Sequence, residues 1–249
     1  MSTENTIADA IDPGTNGLYR AGGISAIVLG LSYLVIIALY VLGGVPPVET
    51  EEWLKHLSGH ATAWWAILGL SVLTDFLFVP IARALYVALK QVNRNAVLAG
   101  TGLLLSFVVL DLAVTWPHYS SLITLSGNYA AATNDAQRMA IVASAGYPTA
   151  VLTSTLLGVY AILVPSVGIL IIGLVMLRGA FSRVTAYSGV GSGVLGIVAV
   201  VGPFVISGLG MAVVVASALT TVWVFLVGYQ LYRLGQTASK LTNGVRTGR

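Results

Sequence analysis

Long runs of apolar residues dominate the chain, and polar residues gather in shorter stretches between them. Each run reaches or exceeds the roughly 20 residues that an α-helix needs to cross the hydrocarbon core of a bilayer. Hydropathy therefore predicts an all-α fold, a polytopic membrane helical bundle with six transmembrane helices. The predicted spans are Ala21–Gly43, Ala61–Leu89, Ala96–Trp116, Thr149–Leu177, Val184–Ser207 and Met211–Tyr232.

The connections on one side of this bundle, Gly44–His60 and Pro117–Pro148, are long enough to hold structure of their own. Their mixed apolar and polar patterns predict short amphipathic helices lying at the membrane interface or covering the bundle. One predicted helix begins at Thr50 and would direct Trp53, Leu54 and Leu57 to the membrane. The other two are Tyr119–Leu125 and Asp135–Ala145. A minimal turn near Gly208–Gly210 joins the last two spans.

Composition excludes a soluble protein and limits the chemistry. Hydrophobic residues make up 57% of the 249 residues and charged residues only 8%, whereas soluble domains average about 25% charged. The chain has no cysteine, which excludes disulfides, iron–sulfur clusters and thiolate zinc sites. The predicted organisation is a mobile cytoplasmic tail at 1–19, a six-helix transmembrane domain at 20–233 and a basic cytoplasmic tail at 234–249.

Basic residues are unevenly divided between the two predicted sides. Of the 12 Lys and Arg residues, only Lys55 and Arg138 fall on the side of the long connections. Because cytoplasmic loops of membrane proteins carry the excess of Lys and Arg, both termini are predicted to be cytoplasmic. We expect a multi-pass protein of the cell membrane, with the basic tail near anionic lipid.

Two acids lie inside predicted spans, Asp75 in the second and Asp111 in the third. Distances from the predicted membrane surface place them at depths differing by roughly 10 Å, so we expect them not to share a proton. Ser71, Thr74, Ser106 and Thr115 are candidate partners nearby in the sequence. The acids serve either as hydrogen-bonding contacts between helices or as a proton relay or ligand site, with Asp75, Asp111, Thr115 and Ser71 as its residues.

The three histidines suggest a different site at the outer surface. His56 and His60 are four residues apart and Glu52 is one turn earlier, so a helix aligns them on one face. His118 lies seven residues after Asp111, on the same face if a helix continues past Pro117. Imidazole and carboxylate groups suit zinc or copper, so these four residues are a candidate metal site. Interfacial residues without a metal are the alternative.

Glycines and prolines occur inside several of the predicted spans. The run Gly191-Ser-Gly193-Val-Leu-Gly196 has the G-x-G-x-x-G spacing of a dinucleotide-binding motif, but no predicted strand precedes it, as that motif requires. Within an apolar span it instead predicts close helix packing, together with Gly189. Three prolines inside spans are predicted to kink them, namely Pro80, Pro165 and Pro203.

Several short motifs resemble a domain-of-unknown-function family of prokaryotic six-helix integral membrane proteins. They are Asp75 to Pro80 followed by Ala84-Leu85-Tyr86 and Leu89, Tyr129-Ala130-Ala131, Leu174-Val-Met-Leu-Arg-Gly179 and Phe181-Ser182-Arg183-Val184. The similarity extends from about Leu18 to Arg233. It implies a bundle of six or seven spans and brings no established reaction.

Three functions are therefore open. The first is a non-enzymatic scaffold, accessory subunit or binder of an apolar ligand such as a lipid or quinone. The second is a proton-coupled carrier of a small molecule using Asp75 and Asp111. The third is a metal-dependent enzyme at the outer face. Membrane lipids are the expected partners, with a homo-oligomer or a larger membrane complex as further alternatives. Nothing in the sequence points to nucleic acid or to a particular cofactor.

Overall fold

A computed structural model describes residues 15–44, 46–206, 209 and 212–247, without the side chains of 240–247. The described residues are predominantly helical and contain no strand. The α-helices are α1 (Asn16–Gly43), α2 (Thr50–Gly59), α3 (Ala61–Leu110), α4 (Trp116–Ala131), α5 (Asp135–Leu152), α6 (Thr155–Gly158), α7 (Val164–Met176), α8 (Arg183–Val201) and α9 (Ala212–Thr247). Irregular turns occur at Asp111–Thr115 and Val159–Leu163, which are π-helical, and at Gly202–Phe204, which is a 3-10 turn.

The chain reverses direction at Asn93, inside α3. Asn93 has a non-helical backbone, with φ −158° and ψ 92°, and its side chain accepts a hydrogen bond from the Ala96 amide at 3.1 Å. The ring centroids of Phe78 and Phe107 are 5.9 Å apart, which a straight helix would not permit. The two arms of α3, residues 61–92 and 94–110, are therefore antiparallel neighbours.

The predicted helical membrane bundle is confirmed at the level of its long apolar helices. Among the described residues, five continuous helical stretches are long and apolar enough to cross a membrane. The longest has 71 residues and contains the Asn93 reversal, so the bundle has five to six long apolar helices. The end of the bundle near Asn93 is called the Asn93 end below, and the opposite end is called the α2 end.

Both helices predicted within the connection Pro117–Pro148 are present, but they are longer than predicted, because almost all of the connection is helical. Only residues 132–134 separate α4 from α5, and the Asn134 side chain caps α5 by accepting from the Gln137 amide at 2.9 Å. Pro117 does not interrupt the chain because it lies in the first turn of α4, where a missing amide hydrogen breaks no helical bond. The predicted surface helices are extensions of the membrane helices.

Both terminal boundaries also differ from the prediction. Helix α1 begins at Asn16, inside the predicted mobile tail, and α9 continues to Thr247, through most of the predicted basic tail. These extensions pack on each other: a Cβ placed on Gly235 would lie 2.6 Å from the Arg20 Cγ and 3.1 Å from the Asn16 carbonyl. Residues 1–14 of the predicted tail lie outside the described residues, as does most of the predicted turn at Gly208–Gly210.

The prediction of close glycine packing is confirmed. A Cβ added to Gly193 would lie 2.7 Å from the Ser166 carbonyl, which joins α8 tightly to α7. A Cβ on Gly189 would lie 2.6 Å from the Trp223 indole nitrogen on α9.

The three prolines that were predicted to kink their helices differ in their surroundings. Pro80 stays inside α3, whereas an irregular turn precedes Pro165 and another contains Pro203.

Helix α2 packs on protein and not on lipid. Trp53, Leu54 and Leu57 were predicted to face the membrane, yet they are buried with at most 3% of their surfaces exposed. They form a second hydrophobic cluster with residues of α3, α4 and α5, including Trp64 and Leu122. The long α4 and α5 provide this surface, which the predicted loop would not have offered.

Candidate functional site

Asp75 is buried in the first arm of α3, with 2% of its surface exposed. Its carboxyl group accepts a hydrogen bond from the Trp116 indole at 2.5 Å, across 41 residues of sequence. In the same helix, the Thr74 hydroxyl donates to the Ser71 carbonyl at 2.7 Å. The predicted partner Ser71 makes no side-chain hydrogen bond to Asp75 in the described part of the chain. The Asp75 carboxyl is thus held by the first residue of α4, which follows the second arm of α3.

Asp111 begins the π-helical turn that follows α3 and is also buried. The Thr115 hydroxyl donates to its carboxyl group, so Thr115 is confirmed as a local partner. The Tyr160 hydroxyl lies 3.2 Å from the same Thr115 oxygen. Tyr160 belongs to the second π-helical turn, which precedes α7. Single π-helical turns are frequent at functional sites, and here two of them meet at one acid.

The two acids lie at the same level of the hairpin, which corrects the predicted difference in depth. Asp75 and Asp111 are each 18 residues from the reversal at Asn93. The contact between Phe78 and Phe107 fixes the register of the two arms at this level. The predicted depth of Asp111 was counted from the end of a span at Trp116, but the chain stays helical beyond Trp116 through α4.

A cleft of about 350 Å³ opens between α1, α3, α7 and α9, and its described lining includes neither acid. This volume lies at the lower end of the range for small-molecule sites. Aromatic and aliphatic side chains line most of it, including Tyr33, Tyr40, Phe78, Phe107 and Ile169. Phe78 follows Asp75 by three residues and Phe107 precedes Asp111 by four, so the acids lie about one turn from the cleft wall.

Tyr33 connects the cleft to the acid pair. It projects from α1 into the cleft lining and lies within electrostatic range of both Asp75 and Asp111. A phenol combines an apolar ring with a hydroxyl that donates and accepts. Tyr33 can therefore contact a ligand in the cleft through its ring or its hydroxyl. Sequence reasoning missed Tyr33 and Tyr160, because neither is close to an acid along the chain.

Hydroxyl groups of α9 line the cleft wall opposite Tyr33. Ser217 donates to the Val213 carbonyl at 2.8 Å, Thr220 to the Ala216 carbonyl at 2.8 Å and Thr221 to the Ser217 carbonyl at 2.9 Å. The Thr220 hydroxyl also shares a hydrogen bond with the Ser192 hydroxyl of α8. The protons of Ser217 and Thr221 are bonded to their own helix, so their oxygens add little polarity to a wall that is otherwise mostly apolar.

No cationic side chain of the described residues forms an ion pair with either acid. The ion pairs among the described residues are Lys55–Glu51 and Arg138–Asp135, and neither includes Asp75 or Asp111. Arg83, the first basic residue after Asp75, is eight residues away along α3 and exposed. Within the hairpin the carboxyl groups therefore rely on neutral donors, the Trp116 indole and the Thr115 hydroxyl.

The predicted metal ligands are not brought together. The rings of His56 and His60 have centroids 5.6 Å apart, but the His118 ring packs on Tyr147 at 5.3 Å, with Nδ1 2.6 Å from the Val114 carbonyl. Glu52 is exposed. Across the described ranges, no group of three or more metal-ligating side chains is placed to hold an ion.

An aromatic cluster connects α2 to the acid site. Tyr119 is its centre, with ring centroids 5.8 Å from Trp116, 6.0 Å from Trp53 and 6.3 Å from Trp64. His56 in turn packs against Trp64 at 5.8 Å. Trp116 belongs both to this cluster and to the hydrogen bond with Asp75. The packing of α2 therefore supports the residue that holds Asp75 in place.

Acidification is expected to weaken the docking of α2. Burial, and secondarily the nearby His60, lower the pKa of His56 below its ordinary 6.5. Below pH 6.5, His56 takes up a proton more readily when α2 is undocked than when it is docked. The docked state is therefore most stable at higher pH, and this advantage is lost as the pH falls to the lower pKa that His56 has when docked. The protection of residues 50–59 against hydrogen exchange, after division by the intrinsic exchange rate at each pH, should therefore fall between pH 7.5 and 5. The variant His56→Gln should flatten this dependence, and an unchanged slope in that variant would contradict the assignment.

No protein-family profile, curated protein or solved structure matches this chain. The resemblance to a family of unknown function therefore stays a prediction, and the function must be argued from the geometry of the site.

Proposed function

We propose that this protein is a non-enzymatic membrane protein that binds an apolar, lipid-like or quinone-like molecule in the cleft between α1, α7 and α9. The observation that carries the proposal is the cleft itself, about 350 Å³ of space inside an apolar bundle and lined largely by aromatic and aliphatic side chains. Protein interiors are otherwise packed with few voids larger than a water molecule. Space of this size beside polar groups is typical of a ligand site.

The packing of α1 on α9 explains why the cleft lies toward the α2 end. Toward the Asn93 end the two backbones touch, since a Cβ on Gly23 would lie 2.7 Å from the Tyr232 amide nitrogen and 2.8 Å from the Gly228 carbonyl. Toward the α2 end larger residues replace the glycines, and the helices separate around Tyr33, Ile37 and Ser217. Ile37 is 45% exposed, so a ligand would enter sideways from the lipid.

The orientation of the bundle is part of this proposal. The excess of Lys and Arg at the Asn93 end favours placing that end, with both termini, in the cytoplasm of a cell. The cleft would then open in the outer half of the bilayer, and membrane lipids would be both the solvent and the competing ligands.

Filling the mouth of the cleft should release the bound molecule. Ser217 is exposed and lines the cleft, so the variant Ser217→Phe places a ring in the mouth without disturbing the core. Native mass spectrometry and solvent extraction of the purified protein should show an apolar molecule retained by the natural chain and reduced at least several-fold in Ser217→Phe.

The matched control for that experiment is Ala218→Phe. Ala218 is the next residue of α9 and is exposed, but it is not part of the cleft lining. This variant adds the same ring to the same helix and should retain the molecule. Equal retention by both variants would show that the bound molecule sits elsewhere and would contradict the proposed function.

A proton-coupled carrier is the second candidate function. The observation favouring it is the placement of Asp75 and Asp111 at one level of the hairpin, because intramembrane acids that face each other can exchange a proton for a ligand. Such a carrier requires that a ligand and a proton compete at the acid pair, which a binding experiment with a cationic ligand measures.

A further inference from the structure

We propose that the cleft and the acid pair form a single site for a lipophilic cation, which binds in exchange for a proton held by Asp75 and Asp111. This inference rests on the proposed function, since it names the class of molecule that the cleft selects. Its ligand is an organic cation whose charge is shielded by apolar groups, able to enter from the lipid.

The charge of the site is the first step of the argument. An ionised carboxylate inside a membrane is costly unless an opposite charge lies beside it. Asp75 and Asp111 are buried with 2% and 5% exposure, and their hydrogen-bond donors are neutral. The missing positive charge can come from a proton or from a bound cation. Each can replace the other, because each compensates the same carboxylates.

The lining of the cleft is the second step. Four aromatic rings contribute to it, those of Tyr33, Tyr40, Phe78 and Phe107. The face of an aromatic ring attracts a cation within about 6 Å of the centroid, more strongly when the cation is desolvated. No Lys or Arg is among the lining residues. Rings on one side and carboxyl groups behind them favour a cation and disfavour an anion of the same shape.

The titratable groups around the acids are few. Tyr33 on α1 lies within electrostatic range of both acids, and Tyr119 on α4 lies within electrostatic range of Asp111. Tyr160 approaches Asp111 through Thr115 from the turn before α7. From α8 and α9, the described residues that line the cleft are Gly196, Val213, Ala216, Ser217, Thr220 and Thr221, none of which titrates near neutral pH. We assign the exchanged proton to the carboxyl pair, because a bound cation would compensate the same negative charge.

The exchange balances in charge. Before binding, the pair holds a proton on one carboxyl oxygen. The cation enters the cleft, the O–H bond breaks, and the proton leaves to water, so one proton is released for each cation bound. Binding should therefore strengthen as the pH rises, by up to tenfold per pH unit while the pair is protonated.

The test uses tetraphenylphosphonium and tetraphenylborate, which have nearly the same shape and opposite charge. Calorimetric titration of the purified full-length protein, in two buffers of different ionisation enthalpy, measures the affinity and the number of protons released. We expect saturable binding of tetraphenylphosphonium with release of about one proton, and affinity rising between pH 6 and pH 8. Tetraphenylborate should show no saturable binding.

The variants Asp75→Asn and Asp111→Asn should each lower the affinity for tetraphenylphosphonium at least tenfold and reduce its pH dependence. Both keep an acceptor oxygen for the existing donors, and their folding is checked by thermal unfolding. The matched control is Glu51→Gln, which removes a negative charge on α2, far from the cleft lining and 51% exposed.

Equal binding of the two ions, or binding without proton release, would overturn the cation site. Either result would leave the proposed function intact if Ser217→Phe still releases the apolar molecule that the natural chain retains. If Ser217→Phe and Ala218→Phe retain that molecule equally, the proposed function itself fails. The two sets of outcomes therefore separate failure of the inference from failure of the function on which it rests.

Discussion

The variant Gly23→Ala is expected to destabilise the bundle by roughly 1–3 kcal/mol, the usual cost of inserting a methyl group into a packed interface. The added Cβ would lie 2.7 Å from the Tyr232 amide nitrogen and 2.8 Å from the Gly228 carbonyl oxygen. Both neighbours are backbone atoms of α9, so no side-chain rotation relieves the clash. Helices α1 and α9 must move apart, and the wall that closes the cleft toward the Asn93 end opens.

The control for Gly23→Ala is Gly102→Ala. A Cβ at Gly102 would meet nothing within 4 Å, and alanine is favoured over glycine in a helix by up to about 1 kcal/mol. Thermal unfolding followed by size-exclusion chromatography in detergent should therefore give a lower midpoint for Gly23→Ala and an unchanged or higher one for Gly102→Ala. Similar midpoints for the two variants would mean that α1 and α9 do not touch at Gly23.

The second large effect is expected for Trp116→Phe. This change removes the indole donor at 2.5 Å from the Asp75 carboxyl and leaves a buried acceptor without its partner, at a cost of about 1–3 kcal/mol. The ring that packs on Tyr119 is largely kept. Unfolding by a denaturing detergent should show the loss. The exposed Trp65, at 46% exposure, provides the control Trp65→Phe, for which little change is expected.

A double-mutant cycle distinguishes the hydrogen bond from a simple loss of packing. The variant Asp75→Leu removes the acceptor, and when both partners of a buried hydrogen bond become apolar the cost is often small. The double variant Asp75→Leu, Trp116→Phe should therefore be more stable than the sum of the single losses indicates. Additive losses would show that the indole and the carboxyl group do not interact.

Hydropathy located the membrane helices because their apolar runs are long, but it misjudged what joins them. The turn between the arms of α3 was predicted as a connection of several residues, and it is a reversal at Asn93 alone. Helices α4 and α5 were predicted as loops with short helices because their sequences alternate polar and apolar residues. Such a pattern is typical both of a helix at the membrane interface and of a helix packed beneath α2. The sequence of the helix does not distinguish the two, because the difference lies in what the helix packs against.

The candidate site shows the same division between local and distant contacts. Thr115 could be predicted as a partner of Asp111 because the two are one helical turn apart. Trp116 was predicted only as the last residue of the third span, because its pairing with Asp75 depends on how two antiparallel helical segments align. Tyr33 is 42 residues from Asp75, and no periodicity relates them. Contacts made by tertiary packing leave no periodic pattern in the sequence. An acid inside an apolar run, in contrast, can be recognised from the sequence alone.

An experimental density map of the protein in a lipid nanodisc tests the central claim most directly, namely that two buried acids lie at one level beside a ligand cleft. The account predicts the Trp116 indole against Asp75, Asp111 at the same level of the hairpin, and density for a bound molecule between α1, α7 and α9 that reaches Tyr33. A map in which Asp75 points into lipid, or in which α1 and α9 close the cleft along its whole length, would contradict it.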